Sequence, residues 1–337
     1  ASRALAITAA QALTNQGAII QAKTVDVSSA KLTHQGATAR LFGEQSLAIN
    51  SPAIVNLGGL IRFGDGQAAT LNSASLNNQG RIEMAGGSLV LTSADLNNSG
   101  GQIIADELTV NAGKLNNQNG VLVAKTATVN ATDLDNSLKG LIQADGGALY
   151  LTVSNGFNNA QGFAQASTDL CVNAGALGSN AGGVLSADTG KLTLTAAQQL
   201  NNAQGRVQAG QGNIELHTAN LDNQSGVIVG KQLLLDAAAV DNRAGTVLGS
   251  AVEVIAKTLD NSGKGSLISD AGDVTLSISD LLTNTGGAID AGARSVLVKQ
   301  LTTLNNQGGL LRGKRLDITA QHLSNDNGQL LAGNLGL

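Results

Sequence analysis

One phrase, Leu-Asn-Asn-Gln-Gly-Gly at 304–309, recurs in near-copies through the whole chain, at 13–17, 76–80, 96–101 and 115–120. Aligning on an apolar residue with Asn two positions later gives 16 anchors, from Leu13 to Leu323, among them Ile54, Phe157, Leu177 and Val240. The spacings run from 19 to 23, and 19 is the commonest. A unit of 19 residues that repeats from end to end admits few folds, because one unit is too short to bury a core of its own.

Inside each unit the apolar residues alternate. In 96–114, Ile103 and Ala105, then Leu108, Val110 and Ala112, then the next anchor Leu115 lie two apart, with short breaks between the sets. Period 2 means extended strands with one buried face. The strongest element is an apolar pair at i, i+2, such as Leu47/Ile49, Leu108/Val110, Leu192/Leu194 and Val274/Leu276. A column of small residues precedes it, including Ala105, Ala124, Ala144, Ala187, Gly230, Gly249, Gly313 and Gly333. No segment shows a helical period.

Three strands of three or four residues cannot form hairpin sheets with a core. Wound into a coil, each strand pairs in parallel with its equivalent one turn on. The predicted fold is all-β, a right-handed parallel β-helix of about 16 coils of 19–23 residues, three short strands per coil, in a single domain over 1–337. A leucine-rich repeat has a similar period but needs a helical or other non-strand return, and these units leave no room for it. The Leu-x-Asn-x-x-Gly stretch is then a corner met once per coil. Asn tolerates left-handed backbone and bonds neighbouring backbone groups, Gly covers positive φ, and stacked amides bond from coil to coil. Asn holds the third position in 14 of 16 units, with His34 and Ser179 standing in for it in the other two.

Composition fits a thin core. The 337 residues include no Trp, one Tyr and four Phe, so the interior must be Leu, Ile, Val and Ala. Charged residues are 13%, the net charge is −4, and no Lys/Arg run exists, which speaks against nucleic-acid binding. No apolar stretch reaches the length of a membrane span. The first ten residues do not have the layout of a signal peptide.

A β-helical enzyme acting on polysaccharides would need carboxylates clustered on adjacent coils. The outward position inside the apolar pair reads Glu215, Leu234, Glu253, Thr275 on successive coils, with no two acids adjacent. Asp133, Asp135, Asp145, Asp188 and Asp222 look scattered among turns, and His34, His217 and His322 fall on separate coils as surface or corner residues. The expectation is no catalytic, cofactor or metal site, with a carbohydrate-active lyase or hydrolase as the alternative. Cys171 is a lone thiol at an outward strand position.

The units 115–134, 221–240 and 304–323, read as G-x-[IL]-x-A-x-x-L-x-[VL]-x-A-x-x-L-x-N, resemble the haemagglutinin repeats of filamentous haemagglutinin and of contact-dependent growth-inhibition toxins. These are large Gram-negative exoproteins exported by two-partner secretion. The resemblance implies a secreted or cell-surface shaft that presents a receptor-binding or effector region. It also implies an outer-membrane transporter as export partner, a receptor on another cell, and a monomeric chain. Neither the secretion domain nor a toxin domain of that family is evident in the sequence, and the expectation is an internal fragment of a much longer chain. An adhesive flank is expected on the outward ladder Val90, Thr109, Thr128, Tyr150, Thr193, because exposed apolar residues on consecutive coils mark interaction surfaces.

Overall fold

The computed structural model describes residues 3–64, 68–175 and 177–333. Every regular element among them is a strand, and the chain is a parallel β-solenoid of about 15 turns, as expected for 16 anchors enclosing 15 intervals. It divides into two compact units, Ala1–Ser167 and Thr168–Leu337.

In the first unit each turn has three faces. The first face carries the small-residue strand, such as Val121–Ala124, and the second carries the apolar pair. The third carries the anchor. Register follows the repeat: Ile103 pairs with Leu122, Leu108 with Ala127, Val110 with Val129 and Leu115 with Leu134, each 19 residues on. The inward residues stack as columns, and Val110, Val129, Leu122 and Ile142 are at most 1% exposed. The three faces are separate short strands only where the corner between the first two is lengthened. Leu141–Ala144, Leu149–Val153 and Gly156–Asn158 are such a turn. Where the corner is tight, pairing can run round it, and Gln102–Asn116 is one strand of 15 residues.

The second unit repeats this plan. Val227–Asp241 pairs with Thr246–Asp260 over all three faces, and Leu233, Leu235 and Val240 stack on Val252, Val254 and Leu259. The small-residue column is tight here, because a Cβ on Gly249 would lie 2.9 Å from Leu233 Cγ. At the final described turn the register places Ala332, not Gly333, on Gly313.

In the first unit the same column is not small throughout. Phe63 pairs with Met84, and Met84 with Ala105, both large side chains fully buried. In the sequence, the corners that follow them are among the longer ones.

Candidate functional site

The recurring corner is built around its second Asn. In the first unit Asn56, Asn78, Asn98, Asn117, Asn136 and Asn159 are 0% exposed. From Asn56 onward each Nδ2 donates to Oδ1 of the next at 2.7 Å. In the second unit a like ladder runs from Asn180 through Asn202, Asn223, Asn242, Asn261, Asn284 and Asn306 to Asn325, at 2.6–2.8 Å. The other Nδ2 proton is shared between backbone carbonyls, as Asn117 shares it between Gly120 and Leu141. A buried amide without partners would cost about 1–3 kcal/mol, so each turn's amide needs its neighbour's. All the amides point the same way along the chain, an arrangement in which bonds polarise and strengthen one another.

The first Asn of the phrase does something else. Oδ1 of Asn97, Asn116, Asp135 and Asn158 accepts the backbone N–H two residues on at 3.0–3.1 Å. These are Asx turns, which is why Asp serves as well as Asn there. The left-handed residue of the corner is neither Asn. It comes two residues after the ladder Asn, as in Asn119, Gln161, Gln204, Ser225 and Ala244, with φ between 50° and 58°. The expectation that the Asn itself takes the left-handed angle is therefore corrected.

Ser179 does not stand in for Asn either. Gly178 pairs with Leu200 and Ser179 with Asn201, so Asn180 enters the ladder and Leu177 pairs with Gln199. The leucine anchor has slipped by one residue because the amide has the more exacting demand. Glycine at the buried anchor position loses some apolar burial, whereas a missing amide would orphan two buried polar groups.

His34 is the one non-Asn member among the described rungs, and it is a fully buried one rather than a surface residue. Asn15 Nδ2 lies 3.0 Å from its Nδ1, and its Nε2 lies 3.1 Å from the Leu60 carbonyl. That geometry calls for a neutral ring protonated at Nε2. Burial, above all, pushes its pKa below the ordinary 6.5, against the Leu60 and Ala39 carbonyls that favour the charged ring, and Arg40 adds to the lowering.

The expected flank is in register. Val90 pairs with Thr109, Thr109 with Thr128 and Thr128 with Tyr150, and Tyr150 is 48% exposed. Thr193 lies in the second unit beside half-buried Cys171, and its Oγ1 is buried without a partner, so that hydroxyl does not face solvent. Beside the first-unit flank runs a shallow groove lined by Thr92, Asn111, Asn130, Thr152 and Ser154, which the alternation did not reveal because it forms only where the chain bends between faces.

Two groupings of titratable residues also escaped the sequence. Asp222, Asp241 and Asp260 form one column on the third face, not scattered turns. Each closes an Asx turn, onto Gln224, Arg243 and Ser262, and Arg243 also pairs with Asp241 and Asp260. His217 Nδ1 lies 3.3 Å from Asp236 on the neighbouring turn, an exposed pair. Among the described residues no group of three His, Cys, Asp or Glu side chains is arranged to hold a metal ion.

Comparison with curated proteins and with solved structures gives no match. The haemagglutinin repeat family matches residues 1–62, 55–107, 104–152, 142–204 and 271–335. The stretch 205–270 between them has the same corner and the same ladder, through Asn223, Asn242 and Asn261. Haemagglutinin-repeat proteins are typically secreted or surface-exposed structural adhesins, and a β-solenoid fits such a shaft. With about four-fifths of its length matched, this chain belongs to the haemagglutinin repeat family, as a repeat region of the filamentous haemagglutinin type.

Proposed function

We propose that this chain is a shaft segment of a large secreted exoprotein, an adhesin or a growth-inhibition toxin. It passes an outer-membrane two-partner-secretion transporter and carries a receptor-binding or effector region toward other cells. The observation that carries this reading is the asparagine ladder. Each turn commits its buried polar groups to the next turn, so the repeat serves continuity along the chain. The single cysteine also suits export, since no disulfide can form within these 337 residues.

The test is an in-register excision in the parent exoprotein. Residues 221–258 are two 19-residue turns, and their removal brings Leu259 to the place of Leu221. Secretion and cell attachment should survive. Attachment that is lost, and is not restored by inserting a copy of the two turns 96–133, would overturn a spacing role for the excised turns.

A second reading is favoured by the register of Val90, Thr109, Thr128 and Tyr150 beside the groove: a receptor on another cell contacts this flank. Replacing Val90 and Tyr150 with Lys should then reduce attachment of the isolated segment at least tenfold. Unchanged attachment with an unchanged circular-dichroism spectrum would leave this part of the chain as spacer.

A further inference from the structure

Within the first unit the asparagine ladder is interrupted at one place, where His34 sits between Asn15 and Asn56. The interruption leaves a mark: Asn56 Oδ1 is buried with no donor, because the His34 Nε2–H is directed to the Leu60 carbonyl instead. Every described rung from Asn56 to Asn159 is held by an amide that does not titrate. This rung is held by a ring that does.

We propose that the His34 rung is an acid-triggered weak point, at which protonation of the buried imidazole opens the turns around Asn15, His34 and Asn56 while the all-asparagine turns beyond stay closed. The imidazolium carries a second N–H, on Nδ1. That N–H faces Asn15 Nδ2, itself a donor, at 3.0 Å. To accept it, Asn15 must turn its amide over and give up its bond to the Arg40 carbonyl. The charge would also lie at 0% exposure without a counter-ion. Charged side chains on the strands packed here are Lys23, Asp26 and Lys31 on Ile19–Gln35, Arg40 and Glu44 on Arg40–Asn50, and Arg62 on Leu60–Phe63. Of these, Arg40 is the one whose field reaches the ring, and it opposes a positive charge. The Leu60 and Ala39 carbonyls favour the charged ring but do not offset its burial, and the ring is tightly packed, since a Cβ on Gly59 would stand 2.6 Å from His34 Nε2.

The sign follows from linkage. The folded pKa lies below the unfolded value of 6.5, so the unfolded turns bind the proton more tightly. The stability of these turns is complete above that value and is lost as pH falls below it. Between the two pKa values, amide protection should fall up to about tenfold per pH unit.

Hydrogen exchange on the 337-residue chain between pH 7.5 and 5, corrected for intrinsic rates, tests this. The expected result is a loss of protection confined to residues near 15–17, 34–41 and 56–61, with turns 96–159 unchanged. His34→Asn, the residue that fills the ladder elsewhere, should abolish the loss, and His217→Asn should not. If the Asn variant does not fold, the imidazole titration of the unsubstituted protein, followed by NMR, decides. A His34 that titrates at or above 6.5, or protection that stays constant down to pH 5, overturns the proposal. So does a loss that persists in His34→Asn.

Discussion

At the residue scale, the two glycines that end the phrase at 304–309 have different physical reasons. Gly308 has φ of +61° and nothing within 4 Å of where a Cβ would be. Gly309 has ordinary backbone, but its Cβ would stand 2.0 Å from the Asn284 carbonyl oxygen and 2.6 Å from Asn306 Oδ1. The first is a conformational requirement that Asn119 and Asn327 meet elsewhere in the chain. The second is a lack of space created by the ladder. Gly308→Asn should therefore change stability by no more than about 1 kcal/mol, the low end of the roughly 1–2 kcal/mol that a left-handed L-residue costs, because Asn tolerates that backbone. Gly309→Ala should cost about 1–3 kcal/mol or more, because it forces apart two hydrogen-bonded turns. Hydrogen exchange of residues 284–310 in the two variants checks the contrast, and equal effects would contradict it.

At the scale of one strand, the slip at Gly178 shows which interaction sets register. Parallel strands of alternating Leu and Val would accept several alignments, since one apolar column fits another. The amide accepts one, because its neighbour's oxygen is at hydrogen-bond distance in that alignment alone. The consequence is an under-filled anchor. A Cβ on Gly178 would meet Ala196 Cβ at 3.5 Å and Leu200 Cδ1 at 3.7 Å, ordinary van der Waals contact. Gly178→Ala should therefore stabilise the strand Leu177–Ser179 by about 0.4–1 kcal/mol, partly by restricting the unfolded chain. Slower local hydrogen exchange would show it. A destabilised variant would mean that the glycine is needed there for a reason the packing does not contain.

At the scale of the whole molecule, stability is a sum over turns and their nearest-neighbour interfaces. Val110 is 0% exposed, stacked between Leu91 and Val129. Val110→Asp should place an unpaired carboxylate in the thin core at a cost of about 3–5 kcal/mol. The damage should appear as fraying of the turns near Val110, with the unit Thr168–Leu337 left intact. Limited proteolysis, followed by mass spectrometry of the fragments, distinguishes this from collapse of the chain. Uniform digestion of both units would contradict nearest-neighbour stability.

The period of 19, the alternation and the Leu-Asn-Gly corner together determine the solenoid. One turn cannot bury its apolar face alone, and only stacking equivalent turns provides a partner for each column. The family was legible for the same reason, since its repeat is the record of that stacking. What the alternation could not reveal was which group governs where columns compete. That Asn180 rather than Leu177 sets the register, that Asp222, Asp241 and Asp260 share a column, and that His34 is a buried neutral link were decided by tertiary structure. Hydrogen-bond direction and buried volume are properties of neighbouring turns, and residues 19–23 positions apart meet only after the chain has wound.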